Sequence, residues 1–353
     1  MQRLPFHQTM SRAPRGLTLT EVAVAAAAIG VATCVAVTLP AGRGGGADSQ
    51  YKLAELAQAN ACYANDFNER QWTAMPYSAG AFNDSCALFG VSNALPHIML
   101  GKGDGGAYWG LYLGGPGFPG SCGNWGFVRA MNFTAADAEV GAFRLGNVWG
   151  FREYVSRNFY SPEWFAEDDP NFAGASSQFD ATSEFNYPIA ALPGGFANSS
   201  YCFSPAAMLN PGVLRAKAEG GFQALASFAD SHRAPSVTQC LYPSLKSRMC
   251  EYSWMRNAPS AGLAFNAGRA SAPFTLFFDG SVQKVTMNHA EADDIIVREN
   301  SKSGDGLWSD DTPFGVNGWQ PDASADATFD GVRTSFHILT TGGILGRDLL
   351  TRE

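Results

Sequence analysis

Arg15-Gly16-Leu17-Thr18-Leu19-Thr20-Glu21, followed by an apolar run from Val22 to Val37, is the stretch that decides how this chain is read. As a helix, Val22 to Leu39 covers ~27 Å at ~1.5 Å per residue, nearly the hydrocarbon core of a bilayer. Glu21 stands at the mouth of that run. A lone carboxylate in lipid costs at least ~3 kcal/mol, so an acid at such a position has a task and a partner. A secretory signal has no use for one there, because its apolar core only has to partition into lipid. Arg3, Arg12 and Arg15 precede the run and no acidic residue occurs before Glu21, which predicts a cytoplasmic N-terminus with the rest of the chain beyond the membrane.

The basic leader, Gly16, the apolar residue after it, Glu21 at the fifth position and the long apolar helix resemble the N-terminus of type IV prepilins and type II secretion pseudopilins. The resemblance implies that a prepilin peptidase cuts after Gly16 and that the new N-terminal Leu17 is N-methylated. It also implies that Glu21 pairs with the N-terminal amine of a neighbouring subunit in a fibre, where the opposite charge offsets its burial. The expected plan is a leader over 1–16, the transmembrane part of the N-terminal helix over 17–39 and its second half over 40–70. An exported globular domain with a large insertion then fills 71–353. The implied fold is α+β, a long helix on an antiparallel sheet. Leu17 replaces the family's usual Phe, Thr20 replaces a bulky aliphatic residue, and the run is unusually rich in alanine. A cleaved signal peptide and a plain N-terminal anchor are the rival readings.

Charge and cysteine use agree with export. Without the three leader arginines the chain keeps 21 basic against 32 acidic residues, a balance of −11. That argues against nucleic acid or an anionic membrane surface as the main partner. Cys34 belongs to the apolar run. The other six, Cys62, Cys86, Cys122, Cys202, Cys240 and Cys250, form an even set that suggests disulfides in an oxidising compartment. Cys240 with Cys250 and Cys86 with Cys122 are the preferred pairs. Zinc is the disfavoured alternative, since no Cys-x-x-Cys occurs and the five histidines are scattered.

The 39 glycines, 19 prolines and 16% charged residues point to a loop-rich fold containing β structure. Pro40 and the Gly42–Gly46 patch should interrupt the first helix as it leaves the membrane. Asp48 or Ser49 can cap its continuation, with Leu53, Leu56, Ala57, Asn60, Ala61 and Tyr63-Ala64 near helical spacing and an end around Asp66 to Asn68. Further on, Gly101 to Trp125 is dense in glycine and aromatics, and reads as an irregular packing layer or an exposed recognition surface. Asn147 to Tyr160 has a short helical pattern, and Ser204-Pro205 is a cap followed by proline at the first helical position.

Asp279-Gly280 between Pro273–Phe278 and Ser281–Met287 predicts a β-hairpin whose two turn residues both take positive φ. Asp279-Gly280-Ser281-Val282 also resembles the C-terminal His-x9-Asp-Gly motif of the large prepilin-like family abundant in planctomycete-type bacteria, with Arg269 at the histidine position.

Asp305, Asp310 and Asp311, with Asp322, Asp326 and Asp330, are the calcium candidates, but they lack the spacing of a helix-loop-helix site and read first as solvated turn acids. No cofactor is expected beyond that ion. Enzyme motifs are missing: there is no Gly-x-Ser-x-Gly, His-Glu-x-x-His, phosphate loop or dinucleotide fingerprint. His97, His232, His289 and His337 each lack a nucleophile or ligand partner in sequence. Glu163 with Asp168-Asp169 is a weak carboxylate pair. The reading is therefore a non-enzymatic minor pilin or pseudopilin-like subunit in the inner membrane. Its partners are the peptidase and other pilin subunits. The alternative is a membrane-anchored periplasmic or surface binding protein.

Overall fold

The computed structural model describes residues 45–72, 98–102, 108–111, 144, 146–147, 150–180, 199–215, 219, 233–252, 271–299, 328–329, 332–333, 336–337 and 340–352. Among them the architecture is α+β. Helix α1 (Gly45–Asp66) is followed by the hairpin β1 (Ile98–Lys102) and β2 (Tyr108–Leu111), then short helix α2 (Phe172–Ser176). The central sheet has four antiparallel strands in the order β3 (Tyr201–Phe203), β4 (Ser247–Glu251), β5 (Phe274–Phe277), β6 (Val282–Lys284). Helix α3 (Pro205–Met208) follows β3, and α4 (Met287–Glu299) follows β6. A two-stranded ladder, β7 (Thr328–Phe329) with β8 (Val332–Arg333), precedes the C-terminal segment. Among the described residues no helix is long and apolar enough to cross a membrane.

Helix α1 buries a stripe at helical spacing: Ser49, Lys52-Leu53, Leu56, Ala59-Asn60 and Ala64. Asp48 and Ser49 do not cap it, because the helix already includes Gly45 and Gly46. Asp48 instead holds Lys52 at 2.7 Å within the first turns. Lys52 Nζ also donates to the Phe165 carbonyl at 2.7 Å, so a lysine stem and head fill a position that hydropathy assigns to solvent. The helix ends where the sequence places its stop. Asn68 and Glu69 take φ of 53° and 62°, and the Glu69 N–H closes onto the Ala64 carbonyl at 2.6 Å.

The buried stripe lies on the sheet, chiefly on β5 and β6. Asn60 Nδ2 reaches Met249 Sδ at 3.8 Å and the Tyr201 hydroxyl reaches Ser49 Oγ at 3.1 Å, which fixes the face of β3 and β4 that the helix covers. Strand alternation puts Phe203, Met249 and Leu276 on that face, each below 2% exposed. The opposite face carries Cys202, Cys250, Ser247, Thr275 and Phe277 and meets the C-terminal segment around His337 and Asp348. Every residue of β3 and β4 is consequently buried. A bulge at Arg248 shifts the β4–β5 register between Ser247 and Met249.

Two local sequence signals place their elements, one of them with a different turn geometry. Ser204 accepts the Ala207 N–H in front of Pro205, starting α3. Asp279-Gly280 turns β5 into β6, but only Gly280 has positive φ, at +84°. The Gly280 N–H bonds the Phe277 carbonyl at 3.0 Å, making a turn of the ordinary hand closed by a left-handed glycine. The expectation of two positive φ values is corrected by the Asp279 carboxylate. It accepts from the Ser281 N–H at 3.0 Å and its hydroxyl at 2.6 Å, which fits a right-handed Asp279. Residues 152–154 form only a single 3-10 turn where the sequence suggested a short helix.

Candidate functional site

Gly16, Leu17 and Glu21 lie outside the described residues, as do Cys86, Cys122, Arg269, Asp305, Asp310 and Asp311. Cys62, Cys202, Cys240 and Cys250 are described and carry free thiols. The preferred pair Cys240–Cys250 is not joined. Short sequence separation suggested it, yet Cys250 lies inside β4 and its register partner is Cys202 on β3. Asp279 and Gly280 sit at the hairpin tip, where Arg352 clasps them: its guanidinium meets the Asp279 carboxylate and donates to Ser281 Oγ at 2.9 Å and the Ser244 carbonyl at 2.9 Å. Among the described residues no cluster of His, Cys, Asp and Glu could hold a metal.

The structure assembles a polar centre that the sequence did not disclose, on the sheet face turned away from α1. Lys246, Ser247, His337 and Asp348 all have zero exposure or close to it. Lys246 Nζ donates to both Asp348 oxygens at 3.0 and 2.9 Å and to Thr340 Oγ1 at 2.7 Å. Asp348 also accepts the backbone N–H of Ser247 at 2.8 Å and of His337 at 3.1 Å, and bonds the Thr340 hydroxyl. Burial pushes its carboxyl up, but Lys246 and the Ser247 and Thr340 hydroxyls outweigh that and hold it below its ordinary value. Burial also pulls the Lys246 ammonium down, against Asp348.

His337 completes the centre from a left-handed backbone at φ 69°. Its Nε2 faces the Cys202 carbonyl at 3.1 Å. A carbonyl only accepts, which places the ring proton on Nε2 and leaves Nδ1 as an acceptor. The single Ser247 hydroxyl proton then lies between His337 Nδ1 at 2.8 Å and Asp348 Oδ2 at 2.6 Å. Burial depresses the imidazole to about 3, with Asp348 opposing. Serine, histidine and aspartate are therefore adjacent, but in the wrong order for a nucleophile relay. The histidine nitrogen opposite Ser247 is tied to a backbone carbonyl, and the serine is fully enclosed. The arrangement fastens the C-terminal segment to the sheet.

On the helix side, Glu251 is 3% exposed and accepts the Phe274 N–H at 2.8 Å. Burial pushes its carboxyl up to about 7, against bonds from Ser49 and that N–H. Asp169 is similarly enclosed, pushed up by burial and held by Ser200 Oγ at 2.6 Å and the Asn171 N–H at 2.9 Å, while Asp168 is exposed. Of the acids read from sequence as a carboxylate pair, Asp169 is thus enclosed by packing, Asp168 faces solvent, and Glu163 is half-buried and accepts the Ser161 hydroxyl.

An open cleft of about 380 Å³ lies past the C-terminal end of α1, lined by Arg70, Arg233, Asn210, Ser236 and Gln239. Arg70 donates to the Ala234 carbonyl at 3.2 Å, and Ser236 caps the 3-10 turn Val237–Gln239 while the Gln239 side chain accepts the Ser236 backbone N–H in return. No sequence motif announced this cleft.

Compared with family models, curated proteins and solved structures, the chain matches none.

Proposed function

We propose that this chain is a prepilin-like subunit of the inner membrane, processed after Gly16 and assembled through Glu21 into a type IV pilus-like or type II secretion-like fibre. The observation that carries the reading is the Gly16-to-Glu21 spacing between a basic leader and a bilayer-length apolar run. An amphipathic helix downstream of that run, laid with its buried stripe on an antiparallel sheet, is the form such a subunit requires. A domain of this bulk suits a minor or tip position, since it would crowd a closely packed fibre. The mature N-terminus, determined by mass spectrometry, is expected to be Leu17, and Gly16 replaced by a bulky residue is expected to leave precursor in the membrane fraction. A mature chain starting near Gly42 would refute the reading.

The cleft between Arg70 and Arg233 favours a second reading, a membrane-anchored binding protein. The two part at Glu21. In a fibre subunit Glu21→Ala abolishes subunit crosslinking in membranes while processing persists. In an anchored binding protein the same change leaves crosslinking and function as they were.

A further inference from the structure

We infer that Cys202 and Cys250 form a disulfide between β3 and β4 when the chain folds in the presence of a disulfide oxidant. The two residues are direct register partners in the antiparallel ladder. The Ser204 N–H bonds the Arg248 carbonyl at 2.8 Å and the Tyr252 N–H bonds the Ser200 carbonyl at 3.1 Å, two positions to either side. Ladder alternation therefore makes Cys202 and Cys250 a hydrogen-bonded pair, with an expected Cα separation of ~5.5 Å. Disulfides span Cα separations of roughly 4.4–6.8 Å, a range that includes this expected spacing. Opposed residues of an antiparallel pair project to the same face. A hydrogen-bonded pair holds its Cβ atoms near the wide end of ~4.5–5.5 Å, so the two strands must close locally by about 1 Å to reach the ~3.5–4.5 Å a disulfide spans.

The remaining described cysteines are placed differently. Cys62 is exposed on α1 and Cys240 is half-buried ahead of β4. The chemistry also sets the timing. Burial raises both thiols well above their ordinary value, so neither supplies thiolate once the sheet is covered. The bond forms while β3 and β4 are pairing and before the C-terminal segment closes over them. With glutathione disulfide as oxidant, one protein S–S bond forms and the glutathione S–S bond breaks. The two thiol protons and two electrons leave the protein as two reduced glutathiones.

The pairing does not depend on the assembly reading. The test uses the full chain in detergent, refolded from the reduced denatured state with a glutathione redox pair, then denatured, alkylated without reduction and cleaved by trypsin. Cleavage after lysine and arginine leaves Cys62, Cys86, Cys122, Cys202, Cys240 and Cys250 in six separate peptides, so each pairing has its own mass. The expected product links the peptide ending at Arg215 to the peptide Met249–Arg256, with alkylation lost from Cys202 and Cys250. Adding the oxidant only after folding should leave both alkylatable upon denaturation. A parallel sample expressed in an oxidising compartment and never unfolded should carry the same link. In oxidised protein, Cys202→Ala and Cys250→Ala each lower the unfolding midpoint, and the double variant lowers it no further. Cys250 linked to Cys240, or Cys202 and Cys250 both alkylated in the refolded and compartment-expressed protein, overturns the inference.

Discussion

Replacing Glu251 by glutamine should change the shape of the stability–pH curve as well as its height. Glu251 has an ordinary value of 4.5 and is pushed to about 7 in the fold. Between those values the unfolded chain has released a proton that the folded chain keeps. Its stabilising effect is complete below 4.5 and is lost as pH rises through 7, at ~1.4 kcal/mol per pH unit. His337 acts in the opposite sense, because burial lowers it from 6.5 to about 3. The unfolded imidazole binds a proton below 6.5 that the folded one refuses, so its contribution is complete above 6.5 and is lost as pH falls towards 3. Over pH 4.5–6.5 the two slopes nearly cancel. Glu251→Gln removes one of them, so its unfolding free energy should rise relative to the native chain's by ~3 kcal/mol across those two pH units. Glutamine keeps the shape of the side chain and can still accept from the Phe274 N–H. Urea unfolding of the full chain in detergent, followed by tryptophan fluorescence at several pH values, measures the difference. Parallel curves for the two proteins across the window would refute the reasoning.

Asp348→Asn should destabilise by ~3–5 kcal/mol because it strands the enclosed Lys246 ammonium, whereas the double change Lys246→Met with Asp348→Leu should recover most of that loss; thermal melts of the three variants decide it. Two glycines with positive φ should respond differently to alanine. Gly280→Ala meets open space and should cost only ~1 kcal/mol of backbone strain. At Gly343 the added Cβ would sit 2.9 Å from the Ala206 carbonyl oxygen, so Gly343→Ala should cost clearly more and loosen the C-terminal segment, read by hydrogen exchange over 340–352.

The parts of this protein that its sequence determines are those whose forces act within a few residues. The Ser204 hydroxyl needs only the Ala207 N–H three positions on, so Ser204-Pro205 announces its helix. Gly280 is required by one local φ, and α1 repeats its buried positions every turn. The Gly16-to-Glu21 spacing before the apolar run is likewise a property of contiguous residues, and the proposal built on it rests on the sequence alone. Strand β4 was not legible. Ser247-Arg248-Met249-Cys250-Glu251 mixes polar, charged and apolar residues, yet it is buried on both faces. The groups that make its burial tolerable lie far away in the chain: Asp348 for Lys246 and Ser247, His337 for Ser247, the Phe274 N–H for Glu251. His337 has no partner in sequence because its partners are Ser247, 90 residues before it, and the Cys202 carbonyl, 135 before. The same holds for Cys202 opposite Cys250, where strand register and not spacing decides the neighbour. A polar residue enters a core only when tertiary structure delivers a partner, since burying it unpaired costs several times what a hydrogen bond contributes. That partner's distance along the chain leaves no trace in local pattern.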